Sequence, residues 1–158
     1  MLPKLLTQDK GLDGIKISVL GTDYLIRCVK ASDMPSWFFE RNKGYCDHTV
    51  KVITVEDLIT RKDDYKDALG DLEMITNQTV RHELIHAFLR ESGLGDEAEI
   101  DEVIIDWLAL QAPKIMKAFC QVNAFTQEEM SDIIAAFTAE NVKEEEKSNV
   151  AKRITDGN

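Results

Sequence analysis

Two of the chain's three histidines stand four residues apart, in the run His82-Glu83-Leu84-Ile85-His86. Residues at that spacing share a face of an α-helix about one turn apart. The flanks suit such a helix. Val80, Leu84, Ile85, Ala87, Phe88 and Leu89 are apolar enough to bury it, and Val80, Leu84, Ala87, Phe88 and Glu91 follow one stripe at three- and four-residue steps. The pattern predicts a helix over Thr76 to Glu91, with Gly93 and Gly95 as stop signals. A buried helix that carries two imidazoles and a carboxylate needs a reason to hold them there, because unpaired polar groups are costly away from water. The plain alternative is a solvated His-Glu-His face with no metal.

The chain before this helix reads as β and the chain after it as helical. Ile15 to Leu20 and Tyr24 to Val29 form an expected hairpin around Gly21-Thr22-Asp23. Breaks follow at Ser32-Asp33-Met34-Pro35 and Asn42-Lys43-Gly44. Tyr45-Cys46 begins a third strand, with a turn near Asp47-His48, and the β-branched run Val50 to Val55 is the clearest strand. Glu56 to Leu69 reads as a short helix or a loop with a helical turn, ended by Gly70. A further helix is expected over Glu97 to Leu110, continuing past Pro113 with a kink or a break. Thr126-Gln127-Glu128-Glu129 has capping-box spacing and opens a last helix through about Glu140. The expected fold is α+β: a small antiparallel or mixed sheet in the N-terminal half, packed on the His82–His86 helix and followed by C-terminal helices. One domain over residues 1–140 and a polar, frayed tail over 141–158 complete the layout.

Composition narrows the function classes. A length of 158 residues suits one domain with a real core, and a formal net charge of -10 opposes broad binding to phosphate backbones. No nucleic-acid partner is expected. No apolar run reaches 18 residues, and Leu2, Leu5 and Leu6 are cut short by Asp9 and Lys10, so neither a membrane span nor a signal-peptide core is expected. Cys28, Cys46 and Cys120 are odd in number, far apart and in no CxxC pair, which fits small buried side chains in a cytoplasmic protein.

The two imidazoles can hold one tetrahedral zinc ion. Glu83, next to the first of them, is placed to act as base toward a water on such a metal. A catalytic zinc normally takes three protein ligands, and no further histidine follows His86. The remaining common donor is a carboxylate, and Glu97, Glu99, Asp101, Glu102 and Asp106 are available. Glu102 and Asp106 are the most informative pair, since they share a helix face amid Val103, Ile104, Ile105, Trp107 and Leu108 and are costly there unless paired or metal-bound. Glu99 and Asp106 stay open as alternatives to Glu102 for the third ligand.

HExxH followed by a helix bearing ExxxD resembles the gluzincin pattern of zinc metallopeptidases. That resemblance implies Glu102 as the third zinc ligand, 16 residues after His86, and Asp106 as the hydrogen-bond partner that orients His82. Over Tyr45 to Gln111 the chain resembles small zincin-like proteins of phages and prophages, akin to the ImmA/IrrE metallopeptidase domain. The motifs involved are Gly44-Tyr45-Cys46-Asp47, the strand to Val55, His82 to Gly93 and Asp106-Trp107-Leu108-Ala109. Leu84-Ile85 replaces the HExGH glycine common in that family. The resemblance implies a zinc-dependent peptidase acting on a peptide or protein in the cytoplasm, the host's if the chain is phage-encoded. Glu83 would take a proton from the zinc-activated water and pass it to the leaving amine.

Other roles remain open. Tyr24, Tyr45, Tyr65, His48 and Arg81 are candidates to steady an oxyanion, and the edge of Val50 to Val55 could receive an extended peptide. Trp37-Phe38-Phe39 is a core or pocket cluster. A deformylase-like amidohydrolase would use Cys46 as third ligand, but Gly44-Tyr45-Cys46-Asp47-His48 does not match EGCLS and the GxGLAAxQ loop is missing. A non-enzymatic interaction protein on a zincin scaffold is the other alternative, and the intact Glu83 argues for the enzyme.

Overall fold

A computed structural model describes residues 12–35, 43–58, 71–94, 101–136 and 138. The expectations for Trp37-Phe38-Phe39, for Tyr65, Glu97 and Glu99, for most of Glu56 to Leu69 and for 141–158 lie outside the described residues. The chain divides into two compact units, Met1–Ala112 and Pro113–Asn158.

The first unit holds a four-stranded mixed sheet. β1 (Lys16–Val19) and β2 (Thr22–Val29) form the expected hairpin. Its turn is Leu20-Gly21, one residue earlier than the Gly21-Thr22-Asp23 signal, with φ of 49° and 88°. Positive φ at both central residues is what a two-residue type I′ hairpin requires. Gly21 meets this freely; Leu20, 61% exposed, does so against its Cβ.

β3 (Gly44–Asp47) and β4 (Val52–Glu56) form a second antiparallel pair. Asp47 shapes the connection by accepting from Thr49 N, Thr49 Oγ1 and Val50 N through Oδ1. β4 also pairs in parallel with β2, from Leu25↔Val52 to Val29↔Glu56, giving the order β1-β2-β4-β3. The β-branched run is therefore the interior strand, with Ile53 and Val55 fully buried. The expectation that Val50 to Val55 offers a free edge is wrong: both of its edges are paired, and β3 is the edge strand.

α1 (Leu72–Glu91) packs on β3 and β4. It begins one turn before the expected Thr76, because Asp71 caps it by accepting from Met74 N. Thr76 and Thr79 return their hydroxyls to Leu72 O and Ile75 O within the helix. Gly93, at φ 79°, ends it as expected, with Gly93 N on Arg90 O and Leu94 N on Leu89 O. Val80 and Ala87 join Val19, Tyr24, Ile26, Ile53 and Val55 in the core, and Leu84 packs against it. Phe88 departs from the expected stripe and is 46% exposed. Glu91 ties the helix end to the sheet by accepting from Thr22, Tyr24 and Lys51 at 2.8, 2.7 and 2.6 Å.

α2 (Glu102–Gln121) starts at Glu102 rather than Glu97, since Asp101 is the capping residue and accepts Val103 N. It runs through Pro113 without a break. In the second unit α2 ends on Asn123, at φ 54°, with Ala124 N on Phe119 O. Thr126 and Glu129 then form the reciprocal capping box expected from the sequence, and residues 127–136 are helical. Cys120 is exposed, contrary to the buried role expected of it. Among the described residues no helix is long and apolar enough to cross a membrane.

Candidate metal centre

His82 and His86 project from α1 toward one point. Their ring centroids lie 4.8 Å apart and their Nε2 atoms 3.0 Å apart. Glu102 comes from the first residue of α2, and its Oε2 lies 3.2 Å from His82 Nε2 and 3.6 Å from His86 Nε2. These three residues form a group able to hold a metal ion. In a tetrahedral zinc site with bonds near 2.0–2.1 Å, ligand atoms sit about 3.3–3.4 Å apart. The observed sides of 3.0, 3.2 and 3.6 Å bracket that distance.

The donor chemistry fits as well as the spacing. Asp106, one turn beyond Glu102, accepts a hydrogen bond from His82 Nδ1–H at 2.9 Å. With its single proton given from Nδ1 to Asp106, the shorter of its two carboxylate contacts, a neutral His82 ring leaves the Nε2 lone pair for the centre. Burial holds His86 below the ordinary histidine range, which favours the neutral ring a metal needs. Two ring nitrogens and a carboxylate oxygen thus converge. A shared proton relieves one of those contacts, whereas a divalent cation relieves all three.

Glu83 faces the same pocket, which has a volume of about 690 Å³ and is also lined by Tyr45, Cys46, His48 and Asp106. It is only 6% exposed. Burial, followed by the negative charge of Glu102, pushes its carboxyl up to about 8. The opposite wall is β3, which comes close because residue 44 is glycine. A Cβ there would lie 2.6 Å from Thr79 Cγ2 and 3.0 Å from Glu83 Cγ. The sequence showed Gly44 as part of a chain break and of the Gly44-Tyr45-Cys46-Asp47 motif; its close approach to α1 depends on long-range packing.

The structure brings together His82, Glu83, His86, Glu102 and Asp106. Asp101 serves as a helix cap instead. Cys46 lines the pocket but is outside the ligand group, and its Sγ lies 3.5 Å from His48 Nδ1. Burial pushes that thiol up to about 12. Of the oxyanion candidates, Tyr24 is 1% exposed and donates to Glu91, and Arg81 donates to Ala109 O, while Tyr45 and His48 line the pocket. Compared with known proteins, the chain matches no family model, no curated protein and no solved structure.

Proposed function

We propose that the chain is a zinc-dependent hydrolase of zincin type, a metallopeptidase that cleaves a peptide bond in a peptide or protein substrate. One observation carries the reading: His82, His86 and Glu102 converge at tetrahedral spacing, with Asp106 behind His82 and the buried carboxyl of Glu83 on the same pocket. Three protein ligands match a catalytic zinc, which keeps a position open, better than a structural zinc closed by four.

Zinc, when bound, acidifies a water and polarises a carbonyl. Glu83 would be the residue that accepts a proton at its carboxylate and returns it to the leaving amine. Its raised affinity for a proton, in a site that zinc's charge counters, suits a group that must accept and release one near neutral pH. Asp106 keeps His82 in the Nδ1–H form, so that Nε2 remains available to the metal. The substrate lies along β3, the edge strand beside the pocket, by main-chain pairing. Tyr45 or His48 supplies the hydrogen bond to the developing oxyanion.

The test is zinc-dependent cleavage of a mixed-sequence peptide library. Glu83→Gln should keep the metal and abolish cleavage, while His86→Ala should lose both. Retained cleavage by Glu83→Gln contradicts the mechanism. Zinc binding with no hydrolysis by wild type favours the interaction-protein alternative.

A further inference from the structure

Arg81 precedes His82 on α1, yet its guanidinium is turned to α2, where Nε donates to Ala109 O at 2.6 Å. That carbonyl is an unusual acceptor. In an uninterrupted α-helix it would take the N–H of the residue four positions on, but residue 113 is proline and has none. Ala109 is fully buried, so its carbonyl cannot count on water. The short, charge-assisted bond from Arg81 fills the gap.

The placement of this bond gives it a further consequence. Glu102, Asp106 and Ala109 stand at steps of four and three residues, so they lie along one face of α2. Along α1 that face meets His82 and His86 through Glu102, His82 again through Asp106, and Arg81 through Ala109. The first two involve carboxylates 67% and 65% exposed, and the neighbouring Val103 and Ile104 are 69% and 53% exposed. Apolar burial in the first turns of α2 comes from Ile105, which is 1% exposed, and the Arg81 bond adds a directional contact one turn further on, at Ala109. A slip of one residue shifts a helix by about 1.5 Å and turns its side chains by about 100°, far outside the tolerance of a metal site.

We propose that Arg81 is a positioning residue: its bond to the carbonyl left open by Pro113 sets the register of α2 on α1 and so brings Glu102 and Asp106 to the two histidines. The inference rests on the metal-centre reading for its functional meaning, but it can be tested with and without metal. Zinc affinity is measured by competition with a chromophoric chelator for wild type, Arg81→Ala, Pro113→Ala and the double variant. The His82 tautomer is read in the zinc-free proteins by long-range ¹H–¹⁵N NMR, and stability by urea unfolding.

Arg81→Ala should lower zinc affinity at least about tenfold and shift His82 from the Nδ1–H form toward the mixture of a free imidazole. Pro113→Ala supplies Ala109 O with an intrahelical donor, so the double variant should regain stability while affinity and tautomer stay impaired. Recovery of all three in the double variant means that Arg81 only satisfies a carbonyl, and overturns the proposal. So does an Arg81→Ala protein with wild-type affinity and tautomer. If wild type binds no zinc, the metal-centre reading falls, and the tautomer shift alone then decides whether Arg81 sets the register.

Discussion

The buried carboxyl of Glu83 makes the metal-free protein sensitive to pH in a direction unusual for a glutamate. The folded chain holds this proton up to about pH 8, whereas the ordinary value is 4.5. Between those limits the folded state binds the more protons, so stability falls as pH rises. The gap of about 3.5 pH units, at 1.36 kcal/mol each, amounts to up to about 5 kcal/mol of stability present below pH 4.5 and lost by pH 8. That is comparable to the whole stability of many domains of this size. Glu83→Gln keeps the shape of the side chain and removes the titration. Urea unfolding of both proteins with chelator, from pH 4.5 to 8.5, isolates the effect as their difference. The variant should gain on wild type by several kcal/mol across the range, with the gain reduced in a Glu102→Gln background, because the charge of Glu102 is the second cause of the shift. Zinc should flatten the wild-type profile by favouring the carboxylate. A difference that stays constant from pH 4.5 to 8.5 refutes the reasoning.

Two further perturbations test the scaffold. Leu20→Asn puts a residue that tolerates positive φ at the first position of the β1–β2 turn, where Leu20 sits at 49° and is 61% exposed; it should stabilise by about 1 kcal/mol in urea unfolding, and an unchanged or lower midpoint contradicts the strain argument. Gly44→Ala should destabilise by about 1–3 kcal/mol through overpacking against Thr79 and Glu83. Thr79→Ser, which removes the nearer methyl, should recover part of that loss, and a Gly44→Ala protein as stable as wild type rules out the tight approach of β3 to α1.

What was legible in the sequence is local. The four-residue step from His82 to His86 and from Glu102 to Asp106 fixes which side chains share a helix face. The Thr126–Glu129 box and Gly93 mark helix ends through bonds that span a few residues. The hairpin was visible for the same reason, although its turn lies one residue earlier because Leu20 accepts a conformation its type disfavours. Strand order was not legible. Val50 to Val55 reads as a strand from its own residues, but pairing with β2 on one side and β3 on the other is a non-local fact that puts it inside the sheet. Phe88 belongs to the apolar pattern of α1 and still faces outward, since the core contacts fall on Val80 and Ala87. The bond from Arg81 to Ala109 O was equally hidden: Pro113 announced a break in the helix, and a side chain 32 residues earlier bonds the carbonyl that the proline leaves open.

X-ray absorption at the zinc edge, on protein loaded with one equivalent of zinc and freed of excess metal, tests the metal centre most directly. The centre described by His82, His86 and Glu102 predicts one tightly held zinc per chain, with only nitrogen and oxygen neighbours near about 2.0–2.1 Å and an imidazole contribution from two rings. His86→Ala should not retain the metal. A sulfur neighbour near about 2.3 Å would replace Glu102 with Cys46 and contradict the ligand set, and a wild-type protein that holds no zinc would contradict the centre itself.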